Sequence, residues 1–132
     1  MKLTEYFEKT IGYCVLSTAD SAGRVDAALY SRPFFDDEES LKFIMYDRLT
    51  HQNLQSNPFA SYLFIEEGSK GLRGKRLYLK KYGEDSDSAA IDKIFKEKNI
   101  DKRYRLDAKF IVYFKIEKIR DLVEDWPDHA VP

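Results

Sequence analysis

The stretch LKFIMYDRLTHQNLQSNPFASYLFIE, Leu41–Glu66, decides how the rest of the chain is read. Its first part, 41–46, is an apolar run of strand length that ends in a polar turn. Residues 50–56 predict a short helix, with Thr50 as its N-cap and Asn57-Pro58 as its stop. Residues 59–66 are a second apolar run and a second strand. The first backbone N–H groups of a helix have no internal partner, so a strand opening into a helix is a ready anion site. Arg48 stands just before this helix, with His51 beside the cap. Taken alone, the segment reads more readily as a capped helix with an exposed arginine.

Working outward, Leu3, Tyr6 and Phe7 recur at helical spacing and predict a helix over 3–10, ended by Gly12. YCVLST, 13–18, predicts a strand. Asp20-Ser21-Ala22-Gly23 is a turn cluster. RVDAALYSRPFF, 24–35, predicts the second strand of a hairpin, with Pro33 implying an edge or a bulge. Beyond the central stretch, a glycine-punctuated basic loop leads into a strand over 75–83. Residues 85–98 predict the clearest helix. Ala90, Ile91, Ile94 and Phe95 form its apolar face, with acids at its start and lysines at its end as the macrodipole prefers. Residues 109–119, KFIVYFKIEKI, predict the last strand, and the tail carries Trp126. Six strands with three isolated helices do not alternate as βαβ units would. The expected fold is one mainly β domain over 1–132, with short helices and a six-stranded antiparallel barrel.

Composition bounds the rest. At 132 residues, a chain buries enough surface to hold a core without disulfide or metal. Hydrophobic residues at 43% and charged residues at 34% describe an ordinary folded protein, and the 14% aromatic share favours sheet. A net charge of −1 gives no global attraction to nucleic acid or anionic membrane. A lone cysteine, Cys14, suits a reducing cytoplasm and reads as a buried strand thiol. The N-terminus carries no signal-like apolar stretch, and no run reaches a membrane span. His51 and His129 lie far apart, no Cys/His spacing suits zinc, and no Walker, GxGxxG or GxSxG motif is present. Acidic pairs such as Asp36-Asp37 read as solvated turns.

The order of these segments resembles the pyridoxamine 5′-phosphate oxidase-like, FMN-binding split-barrel family. The resemblance runs over 1–120: the N-terminal helix, the STADSAGRVDAALY hairpin, the strand FIMYD, the helix closing in NP, the strand SYLFIEE, and GKRLYLKKYGED after it. No single motif is specific; the ordered set carries the likeness. It implies a single-domain split barrel that forms a homodimer with FMN at the subunit interface. Phosphate contacts would fall on Arg48, Thr50 and His51. The ring would lie along Ala27, Ala28, Leu29 and Tyr30 and at Tyr46 and Asp47. Lys75 and Arg76 would reach the same groove, and Trp126 would cover the flavin or the dimer seam. The implied activity is that of a small FMN-dependent oxidoreductase, with FMN supplying the hydride chemistry. The true oxidases have a lysine where Thr50 stands, and their Arg- and Trp-rich C-terminal motif is absent. Both departures point away from pyridoxamine phosphate as substrate.

Two other readings stay open. A cofactor-free dimer with a binding or stress-related role fits the same barrel. KGLRGKRLYLKK holds six basic residues between Lys70 and Lys81 around Tyr78, as an OB-like single-strand binder would. The acidic residues Glu84, Asp85 and Asp87 just after it weaken that reading. For haem, which relatives of the fold also bind, His51 is the one axial ligand the sequence offers.

Overall fold

The computed structural model describes residues 1–68 and 72–123. Among them, β1 (Gly12–Ala19), β2 (Val25–Leu29), β3 (Phe34–Asp37), β4 (Ser40–Met45), β5 (Phe59–Glu66), β6 (Gly74–Asp85) and β7 (Phe110–Asp121) form one sheet. The strand order is β2-β1-β5-β6-β7-β4-β3, and every neighbouring pair is antiparallel. The helices are α1 (Leu3–Lys9), α2 (Leu49–Ser56) and α3 (Ser88–Glu97), with one 3-10 turn at Lys102–Tyr104.

The expected mainly β architecture with isolated helices is present, with seven strands where the sequence reading gave six. The difference lies in RVDAALYSRPFF. Pro33 has no N–H to give a ladder, and its ring disfavours helical backbone at Arg32. The run therefore breaks: β2 pairs with β1, while β3 pairs with β4. One expected strand becomes the two edges of the sheet. These edges do not pair with each other, so the barrel stays split.

Curling comes from the two longest strands. β6 and β7 run for 12 residues each and carry register shifts at Tyr78/Leu79 and Lys81/Gly83. Bulges of this kind bend the strand and sharpen its twist. The concave face then closes over Leu16, Leu41, Phe43, Tyr62, Phe64, Leu77, Val112 and Phe114, all fully buried. These residues follow the period of two that a half-buried strand imposes. Each such side chain contributes roughly 1.5–3 kcal/mol by leaving water.

One end of the barrel is plugged by α1. The Phe7 ring packs on Phe35, Tyr62 and Phe64, with centroids 4.9–6.2 Å apart. The buried Cys14 thiol sits in this core; burial pushes it above its ordinary value, against the opposing pull of Tyr62 and Arg32. On the convex side, α3 lays Ile91, Ile94 and Phe95 against Ile44, Ile111 and Tyr113. That helix begins at Ser88, later than its charge pattern suggests. Asp87 caps it by accepting from the Ala89 N–H at 3.3 Å, and Glu84 and Asp85 belong to β6.

Candidate functional site

The site forms where the split opens. β4 ends at Met45, the chain turns through Tyr46–Arg48, and α2 starts at Leu49. The N-cap is Arg48, in extended backbone (φ −138°, ψ −172°), and no side chain caps the helix. The sequence predicts the cap at Thr50. Thr50 is instead the second helical residue and is buried. Helix geometry leaves the N–H groups of Leu49, Thr50 and His51 without an intrahelical partner; the first internal bond runs from Gln52 to the Arg48 carbonyl, at 3.0 Å. No acidic residue occupies the first turn, so nothing in the helix competes for those donors.

A cavity of about 660 Å³ lies against this turn, within the range of small-molecule sites. Asp26, Ala28 and Tyr30 of β2 and its exit form one side. They sit on the face that β1 buries, since Ala28 is opposite Leu16 and Asp26 opposite Thr18. Ile44, Tyr46, Arg48, Leu49 and Thr50 form the other side. Leu29 at the end of β2, Ser31, Phe34 from β3, and Phe95, Ile100 and Tyr104 from the α3 region complete the wall.

Among the described residues, the lining holds one basic side chain, Arg48, and one acidic side chain, Asp26. The Arg48 guanidinium lies 5.4 Å from the Tyr46 ring centroid and forms no ion pair among the described residues. Burial first, then neighbouring Tyr46, push the Tyr30 phenol well above its ordinary value, which keeps it a neutral hydrogen-bond donor. The arrangement suits a ligand with a phosphate at one end and a flat ring along an aromatic and aliphatic wall. A guanidinium can bind phosphate through two donors, and the open helix turn adds backbone N–H groups. These residues fit FMN.

Of the residues expected at the site, the fold brings Ala28, Leu29, Tyr30, Tyr46, Arg48 and Thr50 to the cavity. Ala27 is exposed on the opposite face of β2, and Asp47 points to solvent in the turn. The His51 imidazole turns inward to Glu84 and does not line the groove. Lys75 and Arg76 lie where β6 meets the end of β7: Lys75 binds Asp121 at 2.8 Å beside the Tyr6 ring, and Arg76 donates to the Asp121 carbonyl at 3.0 Å. Neither borders the cavity of its own chain. In the basic segment, Lys80 lies over Phe59 and Lys81 binds Glu84, so these cations are held by groups of the barrel itself. Trp126 is outside the described residues.

Phe34, Ile44, Phe95, Ile100 and Tyr104 line the groove without having been anticipated. One signal was available: the apolar face of α3 had to cover some outward sheet face, and Ile44 alternates outward between buried Phe43 and Met45.

Three solved structures place this architecture. An FMN-binding protein from Syntrophomonas wolfei superposes with a TM-score of 0.76 at 20% identity, covering 92% of this chain and 84% of that one. A presumed pyridoxamine 5′-phosphate oxidase from Lactobacillus delbrueckii gives 0.65 at 14%, covering 88% of each. The chain has the pyridoxamine 5′-phosphate oxidase-like split-barrel fold. HutZ, the haem storage protein of Vibrio cholerae, shares this split barrel at 0.62 and 18%, covering 89% of this chain and 90% of that one. At these identities the likeness is one of fold. No family model and no curated protein matches the sequence.

Proposed function

We propose that this split barrel binds FMN and acts as a small flavin oxidoreductase. The observation that carries the reading is the groove in the split, with Arg48 and the uncapped turn of α2 beside an aromatic wall. Arg48 and the N–H groups of Leu49, Thr50 and His51 would hold the phosphate. Ala28, Tyr30, Ile44 and Tyr46 would flank the ring. Bound there, FMN supplies hydride transfer, and the protein supplies position and a neutral, largely apolar surround.

The working unit in this reading is a cytoplasmic homodimer. Edge strand β2 exposes Val25 and Leu29, and the same outer face carries Tyr13 of β1 and Phe59 of β5. A sheet face that exposes several large apolar side chains is suited to a second copy. Among the described residues no helix is long and apolar enough to cross a membrane.

The test is a visible spectrum of the purified protein before and after addition of FMN and desalting. Retained flavin absorbance, lost in Arg48→Ala, is the expected result. A colourless protein after desalting would overturn the flavin assignment and favour the cofactor-free dimer.

A further inference from the structure

We infer that His51 is a positioning residue: its imidazole and the Glu84 carboxylate form a latch that aims the first turn of α2 and Arg48 into the groove. The inference rests on the reading that a phosphate binds there. Helix α2 has only eight residues, too few to be stable alone, and its first turn has neither a capping side chain nor an acidic residue. The donors that a cap would satisfy are left for a ligand. The turn must therefore be held from beneath.

His51 does this from the third helical position, where its own N–H is one of the open donors. Its side chain is 8% exposed, and the ring stacks on Phe110 of β7, with centroids 3.7 Å apart and planes 4° apart. Nε2 lies 3.0 and 3.2 Å from the two oxygens of Glu84 on β6. A carboxylate only accepts, so the tautomer with the proton on Nε2 makes this bond; the Gln55 amide nitrogen, 3.0 Å from the same Nε2, turns its two hydrogens to other acceptors. Gln55, one turn further along α2, donates to the Glu84 Oε1 at 2.8 Å and to the His51 carbonyl at 3.1 Å. Lys81 Nζ completes the cluster at 2.5 Å from the same oxygen.

Glu84 follows the bulge at Lys81/Gly83, a device that re-aims side chains. Stacking fixes the plane of the imidazole, and the carboxylate fixes its rotation within that plane. Turning α2 about its axis would break both contacts. A flat ring with one directed N–H thus couples the frame of β6 and β7 to the direction of three backbone donors on the groove side.

The experiment compares FMN with riboflavin, which lacks the phosphate, by titration of flavin fluorescence. His51→Phe keeps the stack on Phe110 and removes the bond to Glu84, while Lys81 and Gln55 still satisfy the carboxylate. We expect the FMN Kd to rise about tenfold and the riboflavin Kd to change less than about twofold. Glu84→Gln preserves shape, should fold in any event, and is expected to lower the preference for FMN about threefold. Equal losses for both flavins, or an unchanged FMN affinity in both variants, would overturn the latch while leaving the phosphate site standing. A wild-type protein with no preference for FMN over riboflavin would overturn the phosphate site and the latch together.

Discussion

The two ends of the barrel carry similar ingredients and differ in what those ingredients are bound to. At the α1 end, Lys75 pairs with Asp121, Arg76 donates to the Asp121 carbonyl, and Arg32 donates from Nη1 to the Phe7 carbonyl at 2.5 Å. The Arg32 Nη2 is packed in without a partner among the described residues and does not line the cavity. Tyr6 gives its hydroxyl to Glu66 at 2.6 Å. At the α2 end, the Arg48 guanidinium lies over the Tyr46 ring and forms no ion pair among the described residues, and the cavity borders the helix turn whose first N–H groups have no intrahelical partner. Cations and aromatics at both ends look alike in sequence. Free donors beside free volume distinguish a site from a seam, because a group already paired gains little from a ligand.

Four measurements would break or sharpen that contrast. The largest effect is expected at the closed end. Phe64→Ala removes a fully buried ring packed on Tyr6 and Phe7 and should cost about 3–5 kcal/mol in urea unfolding. A loss below about 1 kcal/mol would mean that this end is not a packed plug. At the open end, Arg48→Ala should leave the unfolding midpoint almost unchanged and weaken FMN by about 1.5–3 kcal/mol, the worth of a charge-assisted bond. Matching losses in stability would mark Arg48 as a structural residue.

A third measurement uses pH. Burial raises the Glu84 carboxyl, but hydrogen bonds from Lys81, Gln55 and His51 outweigh it and hold the group at about 2. A folded value below the unfolded one stabilises the protein fully above about pH 4.5, and the gain is lost as pH falls towards 2. Because Glu84 is partly exposed, solvent screening reduces the effect to about 1 kcal/mol. Wild type minus Glu84→Gln, followed by unfolding midpoint between pH 6 and 2, should show the difference shrinking in that window. A constant difference would disprove the linkage. The smallest effect is expected from Lys75→Ala, which should leave FMN affinity within about twofold. A loss as large as that of Arg48→Ala would bring the α1 end into the site, as a groove completed by a second subunit would require.

Much of the element order could be read from the chain, and with it the strand–helix–strand core of the site. Period-two burial in β1, β4 and β5 and the stop at Asn57-Pro58 are local properties. The errors have physical causes. Thr50 reads as the N-cap because a hydroxyl is the usual capping group. The turn instead starts at Arg48 with no cap, consistent with donors kept open. The direction of the His51 ring is not legible in the sequence, since a histidine beside an arginine at a helix start looks the same whether its imidazole faces a phosphate or, as here, Glu84.

The sequence by itself determined the mainly β class, the positions of its helices, and the presence of Arg48 at a helix start after a strand. These follow from side-chain periodicity and from the chemistry of proline and glycine, which act within a few residues. Tertiary structure alone decided that Pro33 sends β2 and β3 to opposite edges, and that Lys75 and Arg76 are paired at the far end. It also decided that α3 walls the groove and that Glu84, 33 residues along the chain, takes the His51 ring. Such outcomes depend on which distant groups meet, and contact across the fold is set by how the sheet curls.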